Sequence, residues 1–327
     1  MSRQEKRESH PKWFVNVILV FVSLILTGGI GEVVIRQFFD NNLTVYEEER
    51  SLLYRYDELL GWFPKTNSSN AFTGSRTISV SHNSRGFRDV EQTKSDKPGI
   101  MFIGDSFVWG YDVEQSERFT EKLRSRMAEW QIFNLGVSGY GSDQEYLLLR
   151  QQFDYYKPRL VFLVFCTDND DNDNISNSIS NGAYYKPYYE FNGENLILKG
   201  VPVPKSLAYF VRQHPLLSQS YIIRLLVKAT SPKVVRNDFP PTAAIIQEIH
   251  EFVYRKGSRL VVGLIERQPA LENFMNNQKI PYVQLNGAER YSTMWNHWTP
   301  NGHDTVSNKI HEFLFNARLL ETEKKNR

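Results

Sequence analysis

Ile100-Met-Phe-Ile-Gly-Asp-Ser-Phe-Val-Trp-Gly110 is the stretch on which the fold turns. Its apolar run ends abruptly in Gly104-Asp105-Ser106, the pattern of a buried strand running into a tight turn. In an open α/β sheet, ligands bind beyond the carboxyl ends of the strands, so Ser106 falls where chemistry takes place. A serine hydroxyl there is either a nucleophile or the N-cap of the next helix. The tripeptide alone favours the cap, and the rest of the chain reverses that preference.

From residue 99 onward strand-like and helix-like segments alternate. A helix is predicted near Ser116–Trp130, with Phe119, Leu123 and Met127 spaced by four. Gln131–Leu135 reads as a strand, Ser142 or Asp143 caps a helix reaching about Tyr156, and Leu160–Cys166 is an apolar strand. Residues 172–238 interrupt the rhythm as an insertion rich in tyrosine. A helix at Thr242–Arg255, strands at Leu260–Ile265 and Tyr282–Leu285, and a helix after Pro300 restore it. Such alternation predicts an α/β fold with a parallel sheet covered by helices on both faces.

The segment ahead of this domain is of another kind. Residues 1–12 carry Arg3, Lys6, Arg7 and Lys12, whereas 13–31 hold no charge. At about 1.5 Å per residue that stretch covers roughly 28 Å, a hydrocarbon thickness. Charge asymmetry places the N-terminus in the cytoplasm and exports the rest of the chain, to the periplasm or an equivalent extracytoplasmic space. An uncleaved single-pass anchor is favoured over a cleaved signal peptide, because the apolar stretch ends without an Ala-x-Ala site. The expected organisation is a cytoplasmic tail (1–12), a transmembrane anchor (13–35), a stalk and a layer leading into the domain (36–95), the domain itself (96–320) and a tail (321–327). Within 36–95, Glu47–Leu60 is predicted as a short helix and Thr77–His82 as a strand.

Composition excludes more than it selects. The 327 residues are 41% hydrophobic and 23% charged with a net charge of +2, so neither a nucleic-acid partner nor a polybasic surface is indicated. The single Cys166 rules out an intrachain disulfide framework and a cysteine-rich zinc site. Asp168-Asn-Asp-Asp-Asn-Asp-Asn174 fails as an EF-hand loop, having Asp173 for the glycine and Ile179 for the glutamate. His297, His303 and His311 lack the spacing of a helical zinc pair. Neither a Gly-x-Ser-x-Gly elbow nor a phosphate loop is present.

Four places share the ligand edge of the predicted sheet: Ser106, Gly139, Asn169 and His297. Ester hydrolysis needs a nucleophile, a base and donors for the developing oxyanion. Ser106 can attack and His297 can take its proton. The backbone N–H groups of Ser106 and Gly139, with the Asn169 amide, can form an oxyanion hole. These blocks, Gly104-Asp105-Ser106, Asn134-Leu-Gly-Val-Ser-Gly139, Asn169-Asp170 and His297-Trp-Thr-Pro-Asn-Gly-His303, resemble those of the SGNH (GDSL) hydrolase superfamily over about residues 80–318. Asn83-Ser-Arg-Gly-Phe-Arg-Asp89 and the N-terminal anchor resemble its bacterial membrane-anchored members. The resemblance implies a flavodoxin-like three-layer α/β/α sandwich and a serine esterase or acyltransferase working through an acyl-Ser106 intermediate, with no metal and no cofactor.

The chain departs from that family where an aspartate usually precedes the histidine, since Met294 and Trp295 stand there. Asn296, Glu266 and Glu289 are the alternatives for orienting His297. Thr167 also replaces an expected glycine. Tyr184, Tyr185 and Tyr188 are candidates either for stacking a sugar or for a small core within the insertion. Three functions remain open: an exported esterase removing O-acetyl or similar groups from a glycan, an O-acyltransferase modifying an envelope or exported polysaccharide, and a degenerate glycan-binding or scaffold domain.

Overall fold

The structure, a computed structural model, describes residues 12–39, 53–93, 95–179, 184–205, 207–212, 214–293 and 296–321. The chain divides into two compact units, Met1–Glu47 with Ser206–Ser231, and Glu48–Lys205 with Pro232–Arg327. The second unit is built on five strands: β5 (Gly99–Gly104), β6 (Gln131–Asn134), β7 (Leu160–Phe165), β12 (Arg259–Leu264) and β13 (Tyr282–Gln284). They pair in the order β13-β12-β7-β5-β6, and every pairing is parallel. Counting these five strands alone, this is the 2-1-3-4-5 order of the flavodoxin-like fold, whose switch point lies between β5 and β7.

Residues alternate across the strands and so divide the core in two. Met101, Ile103, Val161 and Leu163 face one layer, formed by α4 (Ser142–Tyr156) and α9 (Thr242–Arg255). Ile100, Phe102, Phe162 and Val164 face the other, formed by α3 (Phe119–Arg126) and α11 (Pro300–Asn316). The predicted α/β sandwich is therefore present, with each helix within a few residues of expectation. A further helix, α10 (Pro269–Gln278), was not anticipated.

Residues 53–93 form part of this unit. Of the predicted helix over 47–60, Leu53 is helical, whereas Tyr54–Asp57 is instead a strand, β1, paired antiparallel with β2 (Gly61–Pro64). Its aromatic, alternating Tyr-Arg-Tyr favours a pleated strand over a helix. A second hairpin joins β3 (Ser68–Thr73) to β4 (Thr77–His82). Trp62, Phe63, Phe72, Ile78 and Val80 from these hairpins are buried in the same core as α4. The insertion adds short strands β8 (Ser178–Ile179), β9 (Tyr184–Tyr185), β10 (Tyr188–Phe191) and β11 (Leu196–Lys199).

Arg88 closes this frame. Its guanidinium is buried and donates to the carbonyls of Gly110 (2.5 Å), Val113 (2.8 Å) and Ser79 (3.1 Å), tying the loop 109–113 to β4. Arg118, also buried, donates to Arg88 O and pairs with Glu121 at 3.0 Å. Gly110 takes φ +88°, and a β-carbon there would collide with the Arg118 side chain. Only glycine suits both demands.

The first unit contains α1 (Lys12–Phe39), whose most apolar 18-residue window has a mean hydropathy of 2.4 and no buried residue. It is long and apolar enough to cross a membrane. With it are α6 (Leu207–Arg212), α7 (Pro215–Ser218) and α8 (Tyr221–Thr230), joined by a small core of Ala208, Val211 and Val227.

Arg88→Met keeps much of the side-chain volume but leaves three carbonyls unpaired, each costing about 1–3 kcal/mol. The full chain in detergent is expected to lose about 3 kcal/mol, roughly 6–12 °C in melting temperature for a domain of this size. An unchanged melting temperature would show that the 109–113 loop holds itself.

Candidate active site

Ser106 opens α2 (Ser106–Trp109), directly beyond β5. The Asp105 side chain caps this turn by accepting from Phe107 N at 2.9 Å, so the cap is Asp105 and Ser106 is left for other work. His297 reaches the same point from the loop before α11. Its Nε2 lies 2.7 Å from Ser106 Oγ, across 191 residues of sequence. The ring is buried, stacked on Tyr111 (centroids 4.2 Å, 20° between planes) and flanked by Phe107 at 4.9 Å. Two aromatic walls therefore fix the imidazole plane.

On the far side of that imidazole stands Asp112, a residue the sequence reading passed over. Its Oδ2 is 3.8 Å from His297 Nδ1, and the carboxylate is wholly buried. Asp112 adopts the left-handed conformation (φ +66°), which aspartate tolerates better than most residues. Ser75, from the β3–β4 turn, holds the carboxylate by donating its N–H to Oδ1 (2.6 Å) and its hydroxyl to Oδ2 (2.7 Å). A β-carbon on neighbouring Gly74 would strike Asp112 Oδ1. The hairpin turn is thus shaped to the carboxylate it carries.

The three residues expected to orient His297 are engaged elsewhere. Glu266 pairs with Arg290 at 2.6 Å, and Arg290 also reaches Asp168 at 2.8 Å. Glu289 accepts from the Thr299 hydroxyl at 2.5 Å, steadying the start of α11. The Asn296 amide, turned to suit its neighbours, donates to Tyr291 O and accepts from Arg290, both at 3.1 Å. Met294 and Trp295 lie outside the described residues.

Gly139 and Asn169 come to the same cavity, of about 470 Å³, with Ser106, Tyr111, Cys166, Asp168, Ile179, Asn296 and His297. Asn169 stands between β7 and the short helix α5 (Asp170–Asn174). Its Nδ2 donates to Asp173 Oδ2 at 3.0 Å, and its amide also hydrogen-bonds the Asp105 carboxyl. Tyr184, Tyr185 and Tyr188 are not among the lining residues. Tyr184 packs on Trp62 (5.7 Å), Tyr185 donates to Pro232 O (2.6 Å) and Tyr188 is buried, so these rings secure the insertion to its unit. From the insertion it is Asp173 and Ile179 that reach the cavity. Cys166 is buried, and burial pushes its thiol well up, which makes it an inert wall.

Beneath the cavity lies a set of buried acids. Burial raises Asp105 to about 6, although the Phe107 N–H opposes it, and raises Asp173 to about 7 against the pull of Lys186. Glu145 and Asp170 are driven well above the ordinary carboxylate range, first by burial and then by repulsion from neighbouring acids. Lys186, wholly buried and contributed by the insertion, forms an ion pair with Asp143 at the start of α4. No group of three or more histidine, cysteine or acidic residues fit to hold a metal occurs among the described residues.

Asp173 binds its proton more tightly folded (about 7) than at an ordinary aspartate value of 3.8, so its contribution to stability declines as pH rises between those values. Asp173→Asn is expected to gain on the wild type as pH rises, its melting temperature exceeding that of the wild type by a few degrees more at pH 8 than near pH 5. The same difference at both pH values would show that Asp173 ionises without penalty.

No family model matches the chain, and no curated protein matches it. Among solved structures, it is similar to a GDSL-like lipase from Bacteroides thetaiotaomicron (12% identity, 70% of this chain, 93% of that one, TM-score 0.39). It is similar to the psychrotrophic esterase EstA from Pseudoalteromonas (8%, 68% and 100%, TM-score 0.41). A third is a two-domain esterase active on acetylated mannans (10%, 68% and 50%, TM-score 0.40).

Proposed function

We propose that the chain is an SGNH-type serine ester hydrolase, held to a membrane by α1, that removes O-acetyl or similar acyl groups from a glycan outside the cytoplasm. The observation that carries the catalytic part is the 2.7 Å contact between Ser106 Oγ and His297 Nε2 at the switch-point edge of the sheet. A domain kept only for binding has no use for a buried imidazole aligned on an exposed-edge serine. The anchor and its orientation rest on the hydropathy of α1 and the charge around it. The glycan rests on that location.

The steps follow from the atoms. His297 Nε2 takes the Ser106 proton as Oγ attacks the ester carbonyl. The oxyanion accepts from the N–H groups of Ser106 and Gly139 and from the Asn169 amide. His297 then returns the proton to the departing alkoxide, leaving acyl-Ser106. Water, deprotonated by His297, repeats the sequence and frees the carboxylic acid. Asp112 acts through His297: its carboxylate favours the Nδ1–H tautomer and the imidazolium formed in each half-reaction. The 3.8 Å separation closes to a hydrogen bond by a slight swing of the imidazole as it gains charge.

Asp112→Asn is expected to lower kcat on an aryl acetate by about 10³–10⁴, with KM little changed, because the loss falls on the charged imidazolium. Glu266→Gln and Glu289→Gln are expected to stay within a few-fold of wild type. A full-activity Asp112→Asn would remove Asp112 from the mechanism. A fluorophosphonate probe is expected to add once, at Ser106, and not to add in His297→Ala. Labelling that persists in His297→Ala would overturn the Ser–His assignment.

A further inference from the structure

The segment between Lys205 and Pro232 is longer than a loop needs to be, and its surface is unusual. α8 shows three faces at helical spacing. Ile223 and Val227 turn toward Ala208 and Val211 in the small core of the first unit. Arg224 and Lys228 form a basic strip. The third face, Ile222, Leu225, Leu226 and Ala229, leaves Leu225 41% and Leu226 51% exposed. Leu216 of α7 (84%) and Phe210 of α6 (50%) add to the apolar surface of the same unit.

This helix is fastened to α1 at one height. Glu32 accepts from Tyr221 N (2.6 Å), Ser220 Oγ (2.9 Å) and Ile222 N (3.2 Å), capping α8 with a carboxylate from another helix. Glu32 is also the first charged residue after the uncharged run 13–31. Ile222 Cδ1 lies 3.7 Å from where a β-carbon on Gly31 would stand, so the apolar face of α8 continues that of α1. Around the Tyr221 ring sit two guanidiniums, Arg36 at 4.8 Å and Arg224 at 4.6 Å. A tyrosine flanked by arginines at the end of an apolar span is the composition of a headgroup-level anchor.

We propose that residues 207–230 form a second membrane contact, in which α8 lies in the headgroup–acyl boundary of the leaflet from which Glu32 emerges. Leu225, Leu226, Leu216 and Phe210 enter lipid, while Arg36, Arg224 and Lys228 remain at the phosphates. The proposal rests on the reading of α1 as a membrane span. Lipid is the occupant the surface favours because the exposed face is continuous with the flank of a span that itself requires lipid, and its charged strip lies apart from that face.

The test uses the full chain in a Cys166→Ala background, reconstituted into phosphatidylethanolamine–phosphatidylglycerol vesicles. Nitroxides are placed singly by Ile18→Cys, Leu216→Cys, Leu225→Cys and Leu226→Cys, and collision rates with oxygen and with a water-soluble nickel chelate are measured. The expected oxygen-to-nickel ratio at all four positions exceeds that of the free label in buffer by about fivefold or more. A buffer-like ratio at Ile18 overturns the anchor itself. A lipid-like Ile18 with buffer-like Leu225 and Leu226 leaves the anchor standing and overturns the second contact. Labels at Leu225 and Leu226 shielded from both reagents and broadened by spin–spin coupling would assign the face to a second copy of the chain, which also overturns the proposal.

Discussion

The arrangement of the site depends on one buried guanidinium. Arg88 spans Ser79, Gly110 and Val113 through carbonyl oxygens, and so converts the irregular loop after α2 into a fixed part of the fold. A charge taken out of water is stabilised when its donors find acceptors, and here backbone carbonyls accept from both terminal nitrogens of the guanidinium. The loop it fixes carries Tyr111, which stacks on His297, and Asp112, which faces His297 Nδ1. The polar turn 83–89 therefore governs the site from a distance without touching the cavity.

The hairpin β3–β4 has a similar relation to the chemistry. Its turn supplies the Ser75 donors that hold Asp112, and Ser75 Oγ also meets Thr293 Oγ1 at 2.7 Å, on the loop that leads to His297. One serine thus links the segment bearing the carboxylate to the segment bearing the imidazole. On the opposite side of the cavity, Lys186 and Asp143 bring the insertion to the start of α4, just beyond Gly139. Ser106 sits at the end of a sheet strand, but the supports of its surroundings come from parts of the chain outside the repeating α/β pattern.

That division explains what the sequence disclosed. Strand runs such as Leu160–Phe165 and the four-residue spacing of Phe119, Leu123 and Val306, Ile310, Leu314 express burial directly, so sheet and layers were legible. Ser106, Gly139, Asn169 and His297 were legible because each follows a strand or opens the last helix. Asp112 was not, because its role depends on a left-handed backbone and on two residues nearly forty positions earlier. A signal existed: glycine and aspartate two apart in Gly110-Tyr-Asp112 mark a turn two residues beyond the short helix, which aims a side chain back at its start. Glu266 and Glu289 misled because a free carboxylate in sequence gives no hint of Arg290 or Thr299 waiting beside it. The tyrosines of the insertion left both readings open, since amphipathic rings serve a core and a surface equally well, and the packing resolves them as core.

Ser106 and Asp112 share one short segment, whereas His297 joins them across 191 residues. During synthesis, a chain folded as far as α9 already holds Ser106, Asp112 and Gly139, yet lacks the imidazole of His297. The last two strands and the loop before α11 must dock before the hydroxyl meets an imidazole. On the mechanism proposed above, reactivity is thereby reserved for the finished molecule, and a half-made chain carries at position 106 an alcohol like that of any other serine.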